Sequence, residues 1–224
     1  MKFQLLVFDW DGTLMDSEAR IVDSMRAALQ DSGLWPRTRE QIRNIIGLGL
    51  REAVRALIPE APEAAQQRVV ERYRHHYLGA EAIPSPLFSG AAEVVTRLAE
   101  HDYLLAVATG KGRRGLDKAL QDTGLAPVFH VTRCADEAQS KPHPEMLEQI
   151  MEASGVTPAQ TLMIGDTEYD VLLALNAGAS ALAVSYGVHD RERLMRLGPI
   201  GCLTDIRELP DWLAGHRERS LLAG

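Results

Sequence analysis

Two aspartates close a short apolar run near the start of the chain, in Leu5-Leu6-Val7-Phe8-Asp9-Trp10-Asp11-Gly12-Thr13. Residues 3–8 read as a buried strand, where side chains i and i+2 point the same way, roughly 6.5–7 Å apart. Asp9 and Asp11 are expected to face one common space, with Trp10 pointing away from it. Acids are rarely set against a core without a partner, because an unpaired charge is costly to desolvate. Gly12 permits the sharp turn out of the strand and a close approach of backbone to ligand. Taken alone, these residues also fit a turn glycine beside a capping aspartate.

Three more polar clusters follow strand-like runs. Thr109, directly after Leu104–Ala108, offers a hydroxyl for a phosphate oxygen, and Gly110 leaves its backbone N–H accessible. Lys141 stands in Ser140-Lys141-Pro142-His143-Pro144, just ahead of a helix that Pro144 suits at its first turn; His143 is read as structural. Asp166 and Asp170 lie in Gly165-Asp166-Thr167-Glu168-Tyr169-Asp170, four residues apart, so both can face one point. Thr167 and Asp170 equally fit a capping box. Each bland reading is respectable singly. Together, four clusters at the carboxyl ends of strands mark the edge where such sheets bind ligands. The carboxylates Asp9, Asp11, Asp166 and Asp170 cannot share a cleft without a cation. Oxygen ligands with no Cys or His select a hard ion such as Mg²⁺. Mg²⁺ with a lysine and a threonine is what a phosphoryl group needs around its oxygens.

The elements that must position these groups follow from periodicity. Apolar runs at 3–8, 104–108, 128–132, 161–164, 181–184 and, weakly, 201–204 read as parallel strands. Amphipathic helices at about 88–101, 112–124, 143–154, 167–177 and 190–197 separate them, which indicates an α/β, doubly wound parallel sheet. About 95 residues lie between the first two strands, against the dozen or more a crossover needs. Residues 17–79 look helical: a first helix from Ser17 as N-cap to Gly33 as C-cap, with Ile21, Met25, Ala28 and Leu29 on one face, then helices near 38–46, 49–58 and 62–78. The stretch 82–90 reads as the return linker. The division is a core of residues 1–15 and 86–224, with an inserted all-helical cap at 16–85. Hanging over the sheet edge, such an insertion can exclude water.

The chain has 224 residues, a formal charge of −7 and no Lys/Arg run, so nucleic acid is a poor partner. Cys134 and Cys202 match no metal spacing or disulfide framework and read as free, mostly buried thiols in a reducing compartment. The first residues do not form a signal peptide, and no apolar stretch is long enough to span a membrane. The expectation is a cytoplasmic protein acting on a small molecule, with its oligomeric state, monomer or homodimer, left open.

The order Asp-x-Asp-Gly-Thr, then Thr after a strand, then Lys-Pro, then Gly-Asp-x-x-x-Asp, with a helical insertion after the first motif, resembles the haloacid dehalogenase-like hydrolases over essentially the whole chain. The closest likeness is to their C1-cap subgroup and its phosphoglycolate phosphatase-like members. The resemblance implies a phosphatase with an aspartyl-phosphate intermediate: Asp9 as nucleophile and Asp11 as general acid and base. It implies Mg²⁺ held by Asp9, the backbone carbonyl of Asp11 and Asp166, with Asp170 assisting through water or by orienting Lys141. Thr109, Gly110 and Lys141 would hold the phosphoryl oxygens. Asp11 argues for phosphate esters over haloacids, since the dehalogenating branch lacks an acid there. Many relatives carry Asn at the position of Gly110, and Trp10 replaces a more frequent Phe. The segment 45–55, where Gly47 and Gly49 break the helices, is expected to dip toward the site with Gly47, Leu48 and Arg51 as substrate contacts. A phosphosugar mutase would use the same core residues, but no cap residues suited to it are recognisable. A non-catalytic phospho-acceptor module would put its acceptor on a later strand. His75 and His76 point in different directions on a helix and read as a solvated face.

Overall fold

The computed structural model describes residues 3–79 and 83–222, with side chains described as far as residue 216. Residue 82, the first of the expected linker, lies outside the described residues.

β1 (Leu5–Phe8) is buried on both sides: Leu6 and Phe8 enter one apolar cluster, Leu5 and Val7 the other. That two-sided burial is why the run is apolar without alternation. β2 (Leu104–Thr109), β3 (Val131–Cys134), β4 (Thr161–Gly165), β5 (Ser180–Val184) and β6 (Cys202–Leu203) complete a parallel sheet in the order β3-β2-β1-β4-β5-β6. β1 therefore sits between β2 and β4, at the point where the strand order reverses, and ligands of such sheets bind outside the carboxyl ends there. The doubly wound α/β expectation holds.

β3 lies three residues later than the sequence pattern indicates. Pro127 enters a 3-10 turn at Ala126–Val128, which ends before the strand begins. Proline lacks the N–H a ladder requires, so the turn displaces the strand.

Among the described residues, the insertion that follows β1 carries four helices: α1 (Glu18–Asp31), α2 (Arg39–Arg43), α3 (Leu50–Leu57) and α4 (Glu63–Leu78). They bury their own apolar cluster, which includes Val22, Met25, Leu29, Val54 and Val69. Ile21 faces the other way, packing with Ile46 of the insertion and with Val188, which follows β5 of the sheet. Ser17 precedes α1, but its hydroxyl makes no capping hydrogen bond; it is turned to Asp11. The helix closes at Ser32, one residue before the expected cap Gly33, which follows with φ 69°. α5 (Ala91–Glu100), α6 (Arg113–Thr123), α7 (Glu145–Ser154), α8 (Glu168–Asn176), α9 (Arg191–Met195) and α10 (Leu209–Leu222) flank the sheet. Cys134 is buried and Cys202 half-buried, both as free thiols.

Trp10 is fully buried, meets Phe129 edge-on at 6.2 Å and sends its indole N–H to Met15 Sδ at 3.3 Å. It wedges the turn that carries Asp9 and Asp11. Trp10→Ala should cost about 3–5 kcal/mol of unfolding free energy in a urea titration. A loss below about 1 kcal/mol would show that the turn does not depend on this packing.

Candidate active site

Every expected polar cluster lies at the carboxyl edge of the sheet. Asp9 follows β1 directly, and its N–H donates to Ile164 O at 2.9 Å, so the first turn is stitched to β4. Thr109 is the last residue of β2, Asp166 follows β4, Asp170 lies in the first turn of α8, and Lys141 precedes α7. All five are at most 1% exposed.

Asp9, Asp166 and Asp170 each offer a carboxylate oxygen within 4.8 Å of the others. Lys141 Nζ lies 2.9 Å from Asp9 Oδ1 and 2.6 Å from Asp170 Oδ1. Asp170 Oδ2 accepts from the backbone N–H and hydroxyl of Thr167 at 3.0 and 2.6 Å. The capping box expected at Thr167 and the functional cluster are thus the same carboxylate used on two sides. Asp166 is held by the Thr13 hydroxyl and the Val188 N–H, both at 2.8 Å. It is also walled in by glycine: a Cβ at Gly12 would come within 2.2 Å of Asp166 Oδ2, and one at Gly187 within 2.4 Å. Gly12 has φ 85° as well, so both space and backbone require it.

The electrostatics follow from this crowding. Burial drives the Asp9 carboxyl well above its ordinary range, and Asp170, Asp166 and Asp11 add to the rise against the pull of Lys141. Burial, then Asp170, pushes Asp166 up to about 7. Burial alone would depress Lys141, but Asp170 and Asp9 outweigh it and carry the ammonium up to about 12. Asp9 Oδ2 is buried and has no hydrogen-bond partner. An orphaned carboxylate oxygen beside two further acids, with oxygen donors only, fits a hard divalent cation.

Asp11 has a different setting. β1 ends at Phe8, so strand periodicity does not extend to Asp11. Its carboxylate lies outside the cluster of three: Oδ1 accepts from the Ser17 hydroxyl at 2.6 Å, and Oδ2 lies 3.0 Å from Lys111 Nζ. The two aspartates nevertheless line one cavity of about 450 Å³, with Thr109, Gly110 and residues of the helical insertion. Gly47, Leu48 and Arg51 line it too. Arg51 is exposed at the rim and donates to Gln67 at 3.1 Å. Gly110 is explained by this loop: a Cβ there would lie 2.4 Å from Leu48 O and 2.6 Å from Gly47 O. A side chain at position 110 and this approach of the loop exclude one another. His76 pairs with Asp31 at 2.9 Å, and His75 is exposed, so neither belongs to the site.

Four contributors were not picked out in the sequence. Lys111 is the foremost; it stands two residues after Thr109, and that spacing from a strand-end threonine was its available signal. Thr13 and Ser17 look like ordinary turn and cap residues. Tyr77, from α4, accepts a hydrogen bond from Lys111 Nζ at 2.7 Å, a contact between positions with no local sequence link.

The sequence profile of the haloacid dehalogenase-like hydrolases matches residues 6–184. A phosphoglycolate phosphatase of Psychrobacter arcticus is 32% identical over 226 residues, which cover 95% of this chain and 96% of that protein. An N-acetylmuramic acid 6-phosphate phosphatase of Pseudomonas putida is 33% identical, with 84% of this chain and 85% of its own length matched. Among solved structures, a hydrolase from Pseudomonas syringae superposes with a TM-score of 0.85 at 24% identity, covering 95% of this chain and 98% of the other. A chain from Bacteroides vulgatus assigned as a β-phosphoglucomutase superposes with a TM-score of 0.81 at 20% identity, covering 96% and 88%. At these identities both structures speak for the fold alone.

The raised carboxyls give a pH-dependent signature. Without cation, the folded chain keeps the Asp166 proton to about pH 7, whereas an unfolded chain releases it near 3.8. Stability from that proton is full below the unfolded value and is lost as pH rises through about 7. A cation bound among these carboxylates would take the proton's place. The gain in melting temperature on adding MgCl₂ should therefore be larger at about pH 8 than at about pH 5.5. An equal or smaller gain at the higher pH would contradict this account.

Proposed function

The chain belongs to the haloacid dehalogenase-like hydrolase family and is a phosphoric monoester hydrolase within it, and on that premise we propose a Mg²⁺-dependent phosphatase acting through an aspartyl-phosphate on Asp9. Its substrate is a small phosphorylated metabolite of the phosphoglycolate type. The observation that carries the reading is Asp9 itself: buried at the end of the central strand, with Oδ1 held by Lys141 and by the Trp10 N–H at 2.7 Å, and Oδ2 without a partner.

In this reading an Asp9 oxygen attacks phosphorus and the bond from phosphorus to the ester oxygen breaks. Asp11, turned to its own side of the cavity by Ser17 and Lys111, gives its proton to the departing alkoxide. It then takes one from the water that cleaves the acyl phosphate, releasing inorganic phosphate and restoring Asp9. Thr109, the Gly110 backbone and Lys141 hold the phosphoryl oxygens. Asp9, the backbone carbonyl of Asp11 and Asp166 would hold Mg²⁺, with Asp170 fixing Lys141. When bound, the ion offsets the charge of the acids and of the phosphoryl oxygens.

Residues 16–85 act as a cap. Its loop meets the sheet-bearing part through the Gly49 N–H, which donates to Ser140 Oγ at 2.7 Å, and through Asn44 O, which accepts from the Tyr169 hydroxyl at 2.7 Å. Gly47, Leu48 and Arg51 then contact the substrate. No described helix is long and apolar enough to cross a membrane, and the free thiols fit a reducing cytoplasm.

The wild-type protein should hydrolyse p-nitrophenyl phosphate with Mg²⁺, lose that activity in EDTA and regain it when Mg²⁺ is restored. Asp9→Asn should lower kcat by more than about 1000-fold. Undiminished turnover in that variant would reject Asp9 as nucleophile.

A further inference from the structure

We propose that Lys111 is a specificity-determining residue that binds negative charge carried by the leaving group, so that the preferred substrates release a small anion. The proposal rests on the phosphatase reading above and deepens it.

Lys111 follows the strand-end pair Thr109-Gly110, and its backbone N–H donates to Thr109 Oγ1 at 3.1 Å. Its side chain is only 7% exposed, yet it lines the cavity that Asp9, Asp11 and Thr109 also line. Asp11 Oδ2 lies 3.0 Å from Nζ, and the Tyr77 hydroxyl accepts from it at 2.7 Å. The ammonium also lies 4.4 Å from the centre of the Tyr77 ring. An ammonium has three N–H donors. Among the described residues two are engaged, which leaves one for a ligand.

Position makes that donor selective. Asp11 serves the ester oxygen in the mechanism above, and Lys111 touches Asp11. Atoms bonded just beyond the ester oxygen therefore come beside Lys111, so a charge placed there meets a nearly buried cation, where charge-assisted hydrogen bonds are strong. The cavity wall extends the same field outward, with Arg51, Arg74 and Arg114. The two other acids lining it are Glu52 and Asp136, the latter accepting from the Arg113 N–H at 2.9 Å, so three guanidinium groups stand against two carboxylates on this wall. Tyr77, stacked on Tyr73 with ring centres 5.5 Å apart, closes the apolar side and favours small leaving groups. Glycolate and inorganic phosphate are both small anions, released from 2-phosphoglycolate and from pyrophosphate respectively.

The test compares wild type, Lys111→Met and Lys111→Arg as full-length proteins with Mg²⁺. The substrates are 2-phosphoglycolate, pyrophosphate and 2-hydroxyethyl phosphate, the last replacing the carboxylate by a neutral hydroxymethyl group. Wild type should favour at least one anionic substrate in kcat/KM. Lys111→Met should lose about 30-fold more on that substrate than on 2-hydroxyethyl phosphate, with Lys111→Arg recovering part of the difference. A selective loss confined to 2-phosphoglycolate identifies a carboxylate as the recognised group, and one confined to pyrophosphate a phosphate. Equal losses on all three substrates, or a wild type indifferent to the charge, overturn the assignment, because a lysine that merely positions Asp11 affects every ester alike. If wild type with Mg²⁺ hydrolyses neither p-nitrophenyl phosphate nor any of these three substrates, the phosphatase reading falls and this proposal falls with it.

Discussion

Charge compensation among nearly buried side chains is the constraint on which the rest of this molecule depends. Asp9, Asp11, Asp166 and Asp170 meet at the carboxyl edge of the sheet against the ammonium groups of Lys111 and Lys141. Four negative charges against two positive ones leave a formal −2, which one divalent cation would balance. A protein interior tolerates such an excess only with a counter-charge or by protonation, and the upward drift of Asp9 and Asp166 is the second response. The supporting residues do one job each. Thr13 and the Val188 N–H orient Asp166, Thr167 orients Asp170, and Lys141 ties Asp9 to Asp170. Gly12 and Gly187 keep side chains out of the space that Asp166 needs.

The helical insertion closes over this charge from two sides. On one side its loop sets backbone carbonyls so near position 110 that only glycine fits, and binds Ser140 through Gly49. On the other, Tyr77 reaches Lys111, and Ser17 at the entrance of α1 reaches Asp11. Asp11 is thus held by one residue from the entry of the insertion and one from the sheet, while Asp9 is held by the sheet-bearing part alone. The two acids thus have different supports: Asp9 is fixed where charge is greatest, and Asp11 is tied to the helical insertion.

Much of this arrangement was legible in the sequence because it depends on local pattern. The uninterrupted apolar runs marked strands buried on both faces, and the polar residues ending them marked the ligand edge. The helical stretch after β1 announced the insertion by length alone. Legibility failed where a long-range contact decided the matter. Strand periodicity placed Asp11 beside Asp9, yet the strand stops at Phe8 and the Lys111 pairing sets its direction. Ser17 has the composition of a cap, but the buried carboxylate of Asp11 claims its hydroxyl. Lys111 was passed over because a lysine after a glycine looks like a surface charge until Tyr77, 34 positions away, is seen over it. The displacement of β3 had a local cause, Pro127, whose effect on the strand start was overlooked.

The central claim is that Asp9, Asp166 and the backbone carbonyl of Asp11 hold a single divalent ion, with Asp170 beside it fixing Lys141. Anomalous diffraction from crystals soaked in MnCl₂ tests it most directly. The account predicts one strong peak at the carboxyl end of β1, with oxygens of Asp9 and Asp166 about 2.1 Å away. Saturating Mn²⁺ with no peak there, or a peak bound only to surface acids, would contradict it.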